Sequence, residues 1–570
     1  MDKKNIGNWR TKVILIFILL FGAGIIGRLF YLQVIKHKLY QAQALGQQVG
    51  FKSIMGLRGQ IYCGNSQQTK GGSSGEFKSL AINKDEWTIS AILDEIEDVE
   101  AFSQALSQCM GIEKEDIISL LNGQNSYVVI KNNAPQEELE KIKELDLKGL
   151  QWEINNKRYY PQGKLASNIL GFLGGENIGQ YGIEGYYEDV LKGKDGIKEE
   201  KKGLELIFSQ DEEKSLDGSD IYLTIDYNIQ FEAESLLLQA KENYDIDSGE
   251  IIVIKPDTGK ILAMADYPFF DLNEYSKVQD MDVFQNDSIQ KLFEPGSIMK
   301  PFTMAIAINE GKITPETVYT DTGSVSFDKD TIHNFDNKVY GEQTMTQVLE
   351  NSINTGAVFA EEQVPSDIYL KYIEKFGFIK KTGIDLQGEV YSRNDGLMNN
   401  APDINFATSS FGQGIELTPI QVVSAFCAIA NGGKTVKPYI VEKIYPDVAE
   451  KSVEQFLSEQ IISKQTSFQL TSMLVSVIDN GFNKVSQIPG YYFAGKTGTA
   501  QVALKNQKGY EKDKTIQSFI GFGPAYNPQF LALIKLDNPK VSASSLSAVP
   551  IFKDLAKYII NYWQIPPDYE

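Results

Sequence analysis

Histidine is nearly missing from this chain: two occur among 570 residues, His37 and His333. A Ser-His-Asp triad or a multi-histidine metal site therefore has almost nothing to be built from. Cysteine is scarce as well. Cys63, Cys109 and Cys427 form no CxxC and no paired set, which excludes a zinc ribbon and a disulfide-dense scaffold. Basic residues are outnumbered, 55 Lys and Arg against 75 Asp and Glu, leaving a net charge of −20. A nucleic-acid binder needs the opposite balance. Acid–base chemistry in such a chain falls to Lys, Asp, Glu or Tyr, and neither a metal nor a cofactor is expected. Long apolar runs are also lacking, with one exception.

That exception lies at the amino terminus. Residues 13–27, VILIFILLFGAGIIG, carry no charge, and LFYLQVI follows after Arg28. Together they span about 20–23 residues, the length that crosses a ~30 Å hydrocarbon core. Lys3, Lys4, Arg10 and Lys12 precede the run against a single acid, Asp2. The positive-inside rule then places the amino terminus in the cytoplasm and the chain beyond the run outside the cell membrane. No A-x-A site follows, which favours an uncleaved anchor over a signal peptide. The expected organisation is a cytoplasmic tail over 1–12, a single-pass transmembrane anchor over 13–35, a non-catalytic region over 36–235 and a catalytic domain over 236–565.

Residues 36–235 read as mixed and irregular. The GGSSG stretch from Gly71 to Gly75 reads as a loop, 112–123 and 135–146 have helical spacing, and the Gly- and Tyr-rich stretch from Arg158 to Gly196 predicts turns between short strands. From Ser248 the texture changes. GEIIVIKPDTGKILAMADYP is two β-rich runs around a Pro-Asp-Thr-Gly turn, a hairpin signature. Helical patterns follow at 297–310, 345–361, 418–430 and 465–479. YYFAGKTGTAQVA, TIQSFIGFGPA and FLALIKLD predict three successive strands, 539–548 is loop-like, and a helix near 549–562 follows. Strands at both ends with helices between predict an α/β (α+β) domain with a central antiparallel sheet flanked by helices.

Three short motifs carry the chemistry. Ser297-Ile298-Met299-Lys300 follows Pro295-Gly296 and opens an apolar helix, so Lys300 shares a helix face with Ser297. A serine hydroxyl becomes a nucleophile when a base takes its proton, and a lysine is a base only when neutral. Burial and a second cation both lower a lysine pKa. Ser352-Ile353-Asn354 offers a hydroxyl for proton relay and an amide that can hold a lysine and a substrate carbonyl. Lys496-Thr497-Gly498-Thr499 places a cation, hydroxyls and an unobstructed backbone on a strand able to hold a carboxylate and an extended peptide. Each pattern has copies: Ser288 to Lys291, Ser326 to Lys329, Ser392-Arg393-Asn394 and Lys381-Thr382-Gly383. Context separates them, since only Ser297 follows Pro-Gly and opens a long apolar helix, and Lys381 sits in a turn among acidic residues.

The three motifs occur in one order, widely spaced, in a domain that begins near residue 240. The set resembles the signature of penicillin-recognising serine acyltransferases. Longer segments are similar to those of penicillin-binding proteins: EPGSIMKPFT, KKTGIDLQGE, SFGQGIELTPIQVVSAFCAIANGG, AGKTGTAQ and SFIGFGPA in the catalytic half, and RYYPQGKLASNILGFLGG with GQYGIEGYYEDVLKGKDG in a β-rich pedestal or dimerisation-type domain. RGQIYCGN departs from the commoner R-G-x-I-x-D-R-x-G of that pedestal. No E-D-x-x-F glycosyltransferase motif lies between 36 and 235, so the resemblance is to the class B, monofunctional kind; no appended module is expected after residue 563.

The resemblance implies a peptidoglycan D,D-transpeptidase. Ser297 would attack the penultimate D-Ala carbonyl of a stem peptide and release D-Ala, with Lys300 as base. Ser352 and Asn354 would relay and position, and Lys496 would lower the Lys300 pKa by its charge. Thr497, Gly498 and Thr499 would bind the substrate carboxylate, and the amides of Ser297 and Thr499 would form an oxyanion hole. Stem peptides on lipid-linked precursors, β-lactams and a polytopic glycan polymerase are the implied partners. A D-Ala-D-Ala carboxypeptidase, a β-lactamase or β-lactam sensor, and a catalytically idle scaffold are the alternatives. No E-x-x-L-N of the class A hydrolases is found, and three intact motifs argue against a scaffold.

Overall fold

The computed structural model describes residues 8–30, 51–54, 56–64, 77–122, 126–175, 177–199, 215–328, 330–398, 401–446, 458–481, 484–503 and 509–569. The chain divides into two units. One comprises Met1–Gly59 with Lys192–Ser219; it holds the helix Asn8–Phe30 and an antiparallel pair in which Phe51–Ile54 runs against Gly196–Glu199. Among the described residues no helix is long and apolar enough to cross a membrane. The GGSSG stretch and the end of the expected anchor lie outside the described residues.

The second unit, Gln60–Leu191 with Asp220–Glu570, carries two main sheets. The first is built from β1 (Ile61–Gly64), β2 (Lys78–Ile92), β3 (Tyr127–Ala134), β4 (Leu150–Tyr159), β5 (Asp220–Asp226) and the strand Val441–Tyr445. β1 and β5 run parallel, and the other pairs are antiparallel. Val441–Tyr445 comes from the catalytic half of the sequence, so the two halves share this sheet. Helices Val99–Met110, Lys114–Leu121 and Gln136–Lys143 bury Phe102, Leu106, Ile117, Leu139 and Ile142 against Ile89. The stretch from Arg158 to Gly196 departs from the expectation of short strands. It contains three short helices, Ser167–Leu170, Gly182–Tyr186 and Glu188–Leu191, beside the two-residue strands Phe172–Leu173 and Gly179–Gln180.

The second sheet has the order β7-β6-β10-β9-β8, with β6 (Ser248–Ile254), β7 (Ile261–Tyr267), β8 (Ala494–Ala503), β9 (Tyr510–Gly523) and β10 (Phe530–Asp537), all pairs antiparallel. The helices used below are α1 (Tyr227–Tyr244), α2 (Lys300–Asn309), α3 (Asn354–Glu362), α4 (Pro419–Ala430), α5 (Lys464–Asp479) and α6 (Ala548–Trp563). Alternate side chains on a strand face opposite ways. Ile251 and Val253 of β6 thus join α1 and α6 on one side, while Ile252 and Ile254 join the core containing α2, α4 and α5 on the other. From Lys300 to Ile308 every residue of α2 is buried, the pattern of a helix hydrophobic all round and placed at the centre of a core. The expected hairpin, the three later strands and the last helix are all present. The 345–361 pattern divides into Met345–Glu350 and α3, and Ser352 lies at the break.

Candidate active site

Gly296 adopts φ +55°, a left-handed conformation that glycine takes without strain. It starts a one-turn 3-10 helix, Gly296–Met299, that runs into α2. A Cβ at 296 would lie 2.8 Å from the carbonyl oxygen of Thr499, so the bare glycine lets the segment before Ser297 close onto β8. Gly412 also approaches closely: a Cβ there would fall 2.1 Å from the Gly296 carbonyl oxygen, and the Gly296 N–H donates to the Gly412 carbonyl at 3.2 Å. Gly498 faces the segment as well. A Cβ there would fall 2.4 Å from Ser518 Oγ and 2.8 Å from the Pro295 carbonyl.

Ser352 sits at φ +54°, unusual for a residue with a side chain. This turn directs both its carbonyl and its hydroxyl at one ammonium: Lys300 Nζ donates to Ser352 O at 2.5 Å and to Ser352 Oγ at 3.2 Å. Lys496 Nζ donates to the same hydroxyl at 3.0 Å, and that hydroxyl bonds Ser297 Oγ at 3.0 Å. The Ser352 hydroxyl thus links Lys300 to Ser297. Ser297 is half-buried, whereas Lys300 and Lys496 are 0% and 1% exposed. Desolvation, with the neighbouring Lys496 charge as a second cause, holds the Lys300 ammonium well below the usual lysine range. Burial brings Lys496 down to about 7.

β8 is the edge strand of its sheet, which leaves one side of its backbone unpaired within that sheet. Thr497 is half-buried and its hydroxyl lies 3.4 Å from Lys496 Nζ; Thr499 is exposed and its hydroxyl is 2.9 Å from Ser544 Oγ. Ser544 also donates to the Gly498 carbonyl at 2.5 Å, supporting the strand from behind. Asn354 opens α3 and donates from Nδ2 to the His333 carbonyl at 3.0 Å. Ser297, Lys300, Ser352 and Lys496 therefore meet at one hydroxyl, with Thr497, Gly498 and Thr499 along the adjoining edge and Asn354 two residues past Ser352.

The other copies of the motifs are committed elsewhere. Ser288 is buried and donates to Asp266 at 2.7 Å, while Lys291 pairs with Asp287 and Asp537. Ser326 lies in the short strand Ser324–Phe327, and Lys329 is outside the described residues. Ser392 Oγ accepts from the Asn394 amide in a local turn. The amides of Thr382 and Gly383 close onto Glu389 at 2.6 and 3.0 Å, so Lys381-Thr382-Gly383 is a loop. Sequence reasoning missed Ser544, in a stretch read only as loop, and Glu294, which accepts from the Gly414 amide at 2.9 Å and from the Tyr510 hydroxyl. The Gly-Gln-Gly of 412–414 was the one local signal, since glycines flanking a polar residue mark close backbone approach. Among the described residues no cluster of His, Cys, Asp and Glu is arranged to hold a metal ion.

Comparison with known proteins gives the family. The penicillin-binding protein transpeptidase domain matches residues 249–557, and the penicillin-binding protein dimerisation domain matches 54–223. The chain is 33% identical over 491 residues to stage V sporulation protein D of Bacillus subtilis, covering 84% of this chain and 76% of that protein. It is 31% identical to the peptidoglycan D,D-transpeptidase FtsI of Buchnera aphidicola, covering 78% and 77%. Among solved structures it resembles penicillin-binding protein 2X of Streptococcus thermophilus, with a TM-score of 0.75 at 22% identity over 90% of this chain and 81% of that one. The serine–lysine–lysine centre at the edge of the five-stranded sheet thus belongs to a penicillin-binding protein of the class B type, a serine-type D,D-transpeptidase of peptidoglycan.

Proposed function

We propose that Ser297 is the nucleophile of this transpeptidase and that Lys300, kept neutral, is its base. The observation that carries the assignment is the Ser352 hydroxyl, 3.0 Å from Ser297 Oγ, 3.0 Å from Lys496 Nζ and 3.2 Å from Lys300 Nζ. The Ser297 proton passes to Lys300, directly or through Ser352, as Oγ bonds to the penultimate D-Ala carbonyl. The tetrahedral oxyanion is held by the amides of Ser297 and Thr499. The C–N bond then breaks, the proton goes to the departing amine, and D-Ala leaves. In the second half an amine of a neighbouring stem peptide attacks the ester carbonyl and loses a proton to the same relay; the ester C–Oγ bond breaks, and the relay delivers that proton to Ser297 Oγ. Thr497, Gly498 and Thr499 hold the terminal carboxylate, and Asn354 positions the peptide. Lys496, near its midpoint at neutral pH, contributes charge to the Lys300 site and a hydrogen bond to Ser352.

A fluorescent penicillin should label the protein stoichiometrically, because its strained amide mimics the D-Ala-D-Ala bond. Ser297→Ala should abolish labelling, and Ser288→Ala and Ser326→Ala should retain it. Persistent labelling of folded Ser297→Ala would move the nucleophile elsewhere, and rapid loss of label from wild type would point to a hydrolase.

The same reading extends to the boundaries 1–12, 13–35, 36–235 and 236–565, to a single-pass anchor with a cytoplasmic amino terminus, and to work on lipid-linked precursors beside a polytopic glycan polymerase. The uncharged run 13–27 and the basic residues before it support the anchor. Protease added to intact spheroplasts should cut the catalytic domain; full protection until lysis would reverse the topology.

A further inference from the structure

The segment between β10 and α6, residues 538–547, is pinned to the catalytic edge of the sheet by buried polar side chains. Gln517 of β9 is the cross-strand partner of Thr499. Its Nε2 donates to the Val541 carbonyl at 2.6 Å, and its Oε1 accepts from the Ser547 hydroxyl at 2.5 Å. Between these two anchors the one-turn 3-10 helix Ser544–Leu546 brings Ser544 against β8. There Ser544 Oγ meets the Gly498 carbonyl at 2.5 Å and Thr499 Oγ1 at 2.9 Å. Gln517, Ser544 and Ser547 are buried, whereas Thr499 is exposed.

Counting protons fixes the direction of these two bonds. A hydroxyl has one proton to give and two lone pairs to receive with, and a carbonyl only accepts. The Ser544 proton is therefore committed to the Gly498 carbonyl. The bond between Ser544 and Thr499 must then carry the Thr499 proton, with Ser544 as acceptor. Thr499 is left with lone pairs alone for any other partner. A carboxylate also has lone pairs alone, so it can bond Thr499 only by taking over the proton that Ser544 holds. A charge-assisted bond is stronger than a neutral one, which makes the exchange favourable. Its gain is reduced by the bond given up and by the buried Ser544 oxygen that loses a donor.

We propose that Ser544 is a positioning residue that sets how tightly this enzyme holds the carboxylate of its donor. In the free enzyme it keeps the Thr499 proton, and the carboxylate binds by displacing it. The inference rests on the transpeptidase reading, in which Thr499 helps to hold that carboxylate, and deepens it by naming the residue that competes for the contact.

The test is stopped-flow acylation by benzylpenicillin, which carries a carboxylate and separates the pre-covalent dissociation constant from the limiting acylation rate. Ser544→Ala frees the Thr499 proton and should tighten the dissociation constant roughly fivefold, the scale of one neutral hydrogen bond, with the limiting rate unchanged. Thr499→Val should weaken binding, and in that background Ser544→Ala should have no further effect, as a double-mutant cycle requires of a contact carried by Thr499. Ser547→Ala removes an anchor of the same segment, contributes no group to Thr499, and should keep the wild-type constant. Unchanged or weaker binding by folded Ser544→Ala would overturn the proposal. So would an equal gain in the Thr499→Val background or in Ser547→Ala, because either would trace the effect to a loosened segment. If Ser544→Ala does not fold, Ser544→Gly removes the same hydroxyl and is read against the same outcomes. Thr499→Val that binds as tightly as wild type would overturn the carboxylate role of Thr499 and this proposal with it. Wild type that takes no penicillin would overturn the transpeptidase reading itself.

Discussion

Lys300 and Lys496 share one hydroxyl acceptor in a buried site, and both ammonium groups are disfavoured there. A base must be neutral, so with Lys300 as the proposed base acylation should decline as pH falls through the Lys300 pKa. Lys496→Ala removes the second cause of that depression; Lys300 becomes easier to protonate, and the acidic limb of the penicillin-acylation profile should move to higher pH. Lys300→Arg keeps a cation that cannot act as a base, and acylation should collapse. Ser352→Ala removes the hydroxyl common to all three groups and should slow acylation by roughly 10²–10³, within the range of lost proton-transfer catalysis. Lys381→Ala, in the loop closed by Glu389, should leave rate and profile unchanged. The depressed Lys496 pKa also bears on stability. Between about 7 and the unfolded value near 10.4 the unfolded chain binds the extra proton, so this group makes stability rise with pH across that window. Lys496→Met removes the contribution. The wild-type-minus-variant difference in unfolding free energy should therefore rise with pH by up to about 1.4 kcal/mol per unit there, measured by urea denaturation. A flat difference would mean that Lys496 is not depressed.

Elements bring these residues together through places where side chains are missing or backbones turn. The Ser-x-x-Lys and Lys-Thr-Gly motifs were legible because each sits in a clear helix or strand pattern. The break at Ser352 was not, because ENSINTG contains no proline and its glycine comes after the break. The turn is stabilised by a distant partner, Lys300 Nζ donating to the Ser352 carbonyl, which local propensity does not register. Gly498 illustrates the second device. Gly498→Ala would drive a methyl into Ser518 Oγ and the Pro295 carbonyl, so β8 must shift from the segment that carries Ser297. A loss of about 1–3 kcal/mol is expected from such overpacking, together with slower acylation; a thermal melt and a penicillin-labelling time course would register both.

Across the whole catalytic sheet one polar row runs beneath the site. Gly498 pairs with Ser518, Ser518 with Lys535, Lys535 with Glu250 and Glu250 with Asp266. Lys535 and Glu250 are each 1% exposed and bond at 3.0–3.1 Å, and Asp537 adds a bond to Lys535 at 2.8 Å. Burial pushes the Glu250 carboxyl up to about 8, while Lys535 and Lys291 hold the Asp537 carboxyl down to about 2. Lys535→Met leaves the Asp537 carboxylate without its bond from that lysine and should destabilise the protein by about 3–5 kcal/mol, read as a fall in the denaturation midpoint. A near-neutral result would show that the row tolerates an apolar replacement. The shared sheet gives a second whole-molecule constraint. Val441–Tyr445 pairs with β5, so the matched dimerisation and transpeptidase regions are joined by backbone hydrogen bonds as well as by the chain.

By itself the sequence determined the chemistry available to this protein. Two histidines and no paired cysteines left acid–base chemistry to Lys, Asp, Glu or Tyr, the order of three short motifs carried the resemblance that implies acyl transfer, and alternating or helical apolar patterns located most strands and helices around them. Only the tertiary structure shows how differently the copies are surrounded: Ser288 faces Asp266 and Thr382 faces Glu389, whereas Ser297, Lys300 and Lys496 converge on Ser352. It also brought the Ser352 hydroxyl between Lys300 and Ser297, and tied the turn at Phe335 to Asp321, Asn334 and Thr355. These are contacts between residues 13 to 55 positions apart along the chain, governed by burial and hydrogen-bond geometry, and no local pattern encodes them.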